Sequence, residues 1–229
     1  MYEFLLDTAD LSDLTRYLTE WPVVGVTTNP SILKKEGKID VYSRLAKIRE
    51  LCGAERSLHV QVVSDTAEAI VEEAHCILDR LGRDVYIKIP VSIAGLPAIK
   101  QLAVEGVNVT ATAIYSTLQG ILAVLAGAKY IAVYYNRMEN NCTDPNAVIR
   151  EIRSFIDGSG STAKILAASF RNVGQLTAAF ANGAQSVTVG VNIIKAGLGA
   201  ASIGNAVEGF AKDFESIHGV GQTMRTIMG

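Results

Sequence analysis

Cysteine is scarce. The three present, Cys52, Cys76 and Cys142, stand far apart, without the paired spacing of a zinc site and in a number that leaves one over from any disulfide framework. That usage fits a reducing compartment, and a cytoplasmic protein is expected. Histidine is no more abundant: His59, His75 and His218 are dispersed and offer no ligand cluster, so no metal is expected. Charge is limited and balanced, at 19% of residues with a formal net of −2. No basic excess invites nucleic acid, and no lysine or arginine run invites an anionic membrane. Long hydrophobic runs are missing as well, since no window reaches the length of a membrane span. The opening MYEFLLDTAD lacks the basic start and apolar stretch of a signal peptide, so the glycosylation-like triplets at Asn108 and Asn141 carry no weight. No GxGxxG follows the first strand pattern, and Gly197-Leu-Gly199 stands in the wrong context for a dinucleotide fingerprint. Internal repeats and low-complexity linkers are absent too.

What the chain has is apolar residues in order. Of its 229 residues 49% are hydrophobic, enough for a sizeable core in a length close to one α/β barrel. Strand-type runs fall near 3–7, 23–27, 58–63, 85–89, 107–113, 130–135, 164–169 and 186–189. Helical patterns lie between them near 10–20, 40–51, 66–81, 93–104, 115–126, 144–157 and 172–182, with a last one near 203–217. The pattern at 66–81 is the clearest, with Asp65 as expected cap, Ile70, Val71, Ala74, Ile77, Leu78 and Leu81 on one face, and Gly82 as stop. Eight alternations predict a single closed (β/α)₈ TIM barrel over 1–217 with a C-terminal helical extension, and a tail, 218–229, that packs on a neighbouring subunit.

The polar residues within the strands raise the functional question. In VYIKI (85–89), Val85, Ile87 and Ile89 alternate with Tyr86 and Lys88. In LHVQVV, His59 and Gln61 share a face, as do Asn108, Thr110 and Thr112 in VNVTATA. Parallel strands covered on both sides read as nearly continuous apolar runs, so a polar face here points into the barrel. Polar groups also close strands: Asp7, then Thr27-Thr28-Asn29 with Pro30 setting an extended turn, then Gln61, Lys88, Thr112, Tyr134 with Asn136, and Ser169. The C-terminal strand ends of such a barrel form its active-site mouth. Singly, each has a structural explanation. Asp7 with Asp10 can cap a helix, Thr27 to Pro30 can form a turn, Tyr134 can fill the core, and Lys88 can snorkel to the rim. Together they point to chemistry; His59 reads as structural.

A desolvated lysine has a lowered pKa, and its neutral amine attacks carbonyls to form a Schiff base. Aldol chemistry follows from that adduct and needs no metal or cofactor. It does need an acid or base and hydroxyl-placing groups, for which Asp7, Tyr134, Asn29 and Thr112 are of the right type. Ser169-Phe170-Arg171-Asn172 enters a helix N-terminus, where free N–H groups and a guanidinium suit phosphate, and Arg137 lies just past the adjacent strand.

At these residues the sequence resembles the transaldolase family in its short, single-domain branch: LLDTAD (5–10), GVTTNPSIL (25–33), YIKIPVSIAGLPAIK (86–100), ATAIYS (111–116) and ILAASFR (165–171) match in order across most of the chain. The resemblance implies a (β/α)₈ barrel and a class I mechanism with Lys88 as the Schiff-base lysine. It places Asp7, Asn29 and Thr112 on active positions, and Arg137, Ser169 and Arg171 on phosphate contacts. Gln61 and Tyr134 stand where the family's transaldolases carry glutamate and phenylalanine and its fructose-6-phosphate aldolases carry glutamine and tyrosine. Val133, where related aldolases tend to have proline, and the loop 138–146 are departures. The expectation is an aldolase reversibly cleaving fructose 6-phosphate to dihydroxyacetone and glyceraldehyde 3-phosphate, with a transaldolase or a catalytically silent sugar-phosphate-binding barrel as alternatives. Its catalytic set is Lys88, Tyr134, Asp7, Gln61 and Thr112. Its substrate-binding set is Thr27, Asn29, Asn108, Arg137, Ser169 and Arg171. The resemblance also implies a ring-like homo-oligomer, a pentamer or decamer.

Overall fold

The computed structural model describes residues 2–227. The chain divides into two compact units after Val191. In the first, eight parallel strands close into a barrel in chain order: β1 (Glu3–Asp7), β2 (Gly25–Thr27), β3 (Ser57–Gln61), β4 (Tyr86–Pro90), β5 (Val109–Ile114), β6 (Tyr130–Val133), β7 (Lys164–Ala167) and β8 (Ser186–Val189). The helices are α1 (Leu11–Glu20), α2 (Pro30–Leu33), α3 (Val41–Cys52), α4 (Ala67–Leu81), α5 (Gly95–Val104), α6 (Thr117–Leu125), α7 (Tyr135–Asn140), α8 (Pro145–Ser159), α9 (Val173–Ala181), α10 (Val191–Leu198) and α11 (Ala201–His218). The (β/α)₈ barrel is therefore the fold, and a C-terminal helix is present. The helical pattern near 203–217 is α11, which lies in the second unit. Among the described residues no helix is long and apolar enough to cross a membrane.

Periodicity placed the long helices well. All six residues read as one face of α4 are buried. Its cap is Thr66, whose hydroxyl accepts from Ala69 N at 3.2 Å, one residue beyond the expected Asp65. Pro30 begins α2 instead of extending a turn. Its fixed φ suits the first helical position, where a missing N–H costs nothing, and Asn29 caps the helix by accepting from Ile32 N at 3.0 Å. β6 stops at Val133, leaving Tyr134 in a single bridge to Ala168; α7 then takes up residues expected as strand and loop.

The polar strand faces do line the interior. β1 and β6 are not neighbours, so the Tyr130 hydroxyl can reach the Glu3 carboxylate (2.7 Å) only across the inside of the barrel. Glu3 also accepts from Ser186 at 2.7 Å and pairs with Lys164. Fully buried His59 stacks on Tyr86 at 4.5 Å and is held by Thr110 at Nδ1 (2.8 Å) and Ser57 at Nε2 (3.0 Å). Burial, and next the charge of Lys88, push its pKa well below the usual histidine range. These groups close the N-terminal half of the barrel, and Leu5, Ala132 and Leu166 form an apolar layer above them.

Candidate active site

Above that layer lies a cavity of about 320 Å³, floored by Ala132 and Leu166 and walled by the C-terminal ends of the strands. Lys88 enters from β4, 4% exposed, and its amine donates to the Thr28 carbonyl at 2.9 Å. Among the described residues it forms no ion pair. Rim snorkelling is thus excluded, and so is a permanent carboxylate partner. Burial lowers the Lys88 pKa from its ordinary value, and the charge of Asp7 opposes that shift. A buried ammonium bonded to a carbonyl and to no carboxylate loses its proton more readily, and the free amine is a nucleophile.

Asp7 ends β1 in the same cavity but does not cap α1; Asp10 does, accepting from Ser12 N at 2.8 Å and Asp13 N at 3.0 Å. Asp7 instead accepts from the Thr27 hydroxyl at 2.5 Å, and Thr27 in turn shares a bond of 2.6 Å with Thr188 of β8. Thr27 therefore stands behind Asp7 and fixes it. Thr188, which lines the cavity, completes an eighth strand's contribution that the sequence reading did not assign; the alternation of Ser186 and Thr188 with Val187 and Val189 was its signal.

Opposite Asp7, Thr112 donates to the Tyr134 hydroxyl at 3.1 Å. That leaves the phenol's own proton free to face the cavity. Burial raises the Tyr134 pKa, while the Thr112 bond and the Arg137 charge work against it, so the group remains a phenol at neutral pH. Gln61 from β3 supplies a buried Oε1 with no hydrogen-bond partner among the described residues. A buried acceptor left open is costly unless a ligand or water meets it, and this one belongs to a side chain lining the cavity. Two residues of the wall, Ala113 (φ 55°) and Ser169 (φ 65°), adopt the left-handed conformation that non-glycine residues avoid. Ala113 marks a bulge where the β5–β6 register shifts between Ala111 and Ile114. Backbone strain of this kind collects at functional sites.

At the mouth, Arg137 lies 4.8 Å over the Tyr134 ring and donates to the Tyr115 hydroxyl at 3.2 Å. Arg137, Ser169 and Asn29 all line the cavity. Arg171 does not; it stands exposed two residues past Ser169. Asn108 is not brought to the site. It precedes β5 at the N-terminal end of the barrel, donating to the Asp84 carbonyl at 3.2 Å and accepting from Lys129. It shares a face with Thr112, but four residues of strand, about 13 Å, separate them.

Fold and site together define a barrel enzyme of the aldolase–transaldolase class. Residues 4–226 match the family model described as Transaldolase/Fructose-6-phosphate aldolase, and the chain belongs to that family. It is 48% identical over 212 residues, 93% of this chain and 96% of the relative, to a protein of Streptococcus pneumoniae (strain ATCC 700669 / Spain 23F-1) named "Probable fructose-6-phosphate aldolase".

Proposed function

We propose that this protein is a class I aldolase that cleaves fructose 6-phosphate reversibly to dihydroxyacetone and glyceraldehyde 3-phosphate. The observation that carries the proposal is the buried, unpaired amine of Lys88 facing the phenol of Tyr134 across one cavity. The amine adds to the C2 carbonyl and loses water to give an iminium. Asp7, aided by Tyr134, takes the proton from the C4 hydroxyl. The C3–C4 bond breaks, its electrons move to the enamine, and glyceraldehyde 3-phosphate leaves. Tyr134 then protonates C3, and a water placed by Gln61 and Thr112 hydrolyses the iminium to free dihydroxyacetone. Asn29 places substrate hydroxyls, and Arg137, Ser169 and Arg171 hold the phosphate. The relative's name, a probable fructose-6-phosphate aldolase, supports fructose 6-phosphate as the substrate.

Fructose 6-phosphate supplied alone should be consumed with release of both products. Turnover that starts only when erythrose 4-phosphate is added would make the protein a transaldolase instead. A pH profile tests the amine itself. Borohydride trapping of the dihydroxyacetone adduct should rise with pH about a midpoint below 10.5, because burial favours the neutral form. Asp7→Asn removes the charge that holds the pKa up, so the midpoint should move lower still; an upward move contradicts the account.

The reading also includes a cytoplasmic homo-oligomer, a pentamer or decamer, in which the C-terminal segment meets a neighbouring subunit. Supporting it, α11 has no buried residue and exposes Val207, Phe210 and Ile217.

A further inference from the structure

The first turn of α9 carries a buried glutamine that the chemistry above leaves unused. Gln175 stands three residues after the cap Asn172, whose Oδ1 accepts from Gln175 N at 2.9 Å. A glutamine in that position ordinarily turns back to the N–H of the cap itself. Gln175 reaches one residue further: its Oε1 accepts from Arg171 N at 2.7 Å. Its amide is then free to cross to α7, where Nε2 donates to Asn136 Oδ1 at 2.9 Å and to Glu139 Oε2. Those two residues flank Arg137 on α7. One side chain, only 8% exposed, thus ties the backbone of Arg171 to the helix that presents Arg137.

The same construction recurs at the end of β5. Gln119, three residues after the cap Ser116, accepts from Tyr115 N at 3.0 Å and donates to the Val91 carbonyl at 2.9 Å and the Ala113 carbonyl at 3.3 Å. There it steadies the bulge beside Thr112. Both glutamines thus tie the first turn of a helix to the backbone before its cap and to a second element.

We propose that Gln175 is the positioning residue that sets the spacing of Arg137 and Arg171, and so the preference for a phosphorylated over an unphosphorylated aldehyde. The proposal rests on the reading that these arginines hold the substrate phosphate. Two guanidiniums on separate segments lose conformational freedom when they converge on one anion, and a buried brace removes much of that loss before binding.

The test uses dihydroxyacetone as donor with glyceraldehyde 3-phosphate or glyceraldehyde as acceptor. Gln175→Met, close in volume, should raise KM for the phosphorylated aldehyde about tenfold. kcat with either aldehyde, and KM for glyceraldehyde, should stay within about twofold. Gln175→Glu keeps the acceptor for Arg171 N but sets two carboxylates together, and should show the same KM defect. Adding Glu139→Gln reverses donor and acceptor across that contact and should restore KM. Equal losses with both aldehydes, an unchanged KM, or failure of the paired exchange to restore it would overturn the proposal. Arg171→Ala separates the two ideas. If it leaves the phosphate preference intact, the phosphate reading falls and the brace with it. If it abolishes the preference while Gln175→Met does not, the brace alone falls.

Discussion

Lys88→Met should lower turnover of fructose 6-phosphate by at least about 10⁴-fold, or about 5.5 kcal/mol of transition-state stabilisation, and abolish the borohydride-trapped mass of dihydroxyacetone on the chain. The size follows from what is removed. Without the amine there is no iminium, hence no sink for the electrons of the breaking C3–C4 bond, and Tyr134 and Asp7 have no intermediate on which to act. Methionine fills a similar length of apolar space, and burial already disfavours the charged amine at this position. The thermal midpoint should therefore hold, which separates lost chemistry from lost folding. Persistence of the trapped adduct in this variant would move the nucleophile elsewhere and end the proposed mechanism.

The second large effect concerns the proton. Tyr134→Phe should cut cleavage of fructose 6-phosphate alone by about 10²–10³-fold while leaving the ring that Arg137 covers and Tyr115 meets edge-on at 5.6 Å. An aldolase must protonate its enamine and hydrolyse the product away; a transferase must keep the enamine until a second aldehyde arrives. Removing the phenol lengthens the enamine's life. Adding Gln61→Glu changes the second position at which the resemblance separates transaldolases from aldolases. The double variant should transfer the dihydroxyacetone unit to erythrose 4-phosphate faster than it cleaves without an acceptor. Exchange of dihydroxyacetone C–H protons with deuterium, followed by NMR, should slow in parallel with the loss of cleavage. Exchange at the native rate in Tyr134→Phe would assign the proton to another group.

Much of the site was legible because the signals were local. Alternation in VYIKI and LHVQVV told which side chains face inward, and interior contacts of His59, Tyr86 and Lys88 agree with it. Height along the barrel was not legible. Alternation gives the side of a strand but not its stagger against its neighbours, so Asn108 was grouped with Thr112 although it lies at the other end. The alternation in SVTV marked Thr188 as inward-facing, but its bond to Thr27, 161 residues away, was not legible. α7 was hidden because YIAVYY continues a strand pattern past the point where β6 leaves the sheet.

The sequence by itself determined the number and order of strands, the long helices between them, the inward polar face, and the residue types suited to an amine-based site, since those depend on neighbours two to four positions apart. Only the tertiary structure decided that the buried Lys88 amine meets the Thr28 carbonyl, that Gln61 keeps an acceptor open, and that Ala113 and Ser169 bend the wall around them. Closing eight strands sets their stagger, and stagger, which no single segment encodes, places groups from distant parts of the chain within a hydrogen bond of one another.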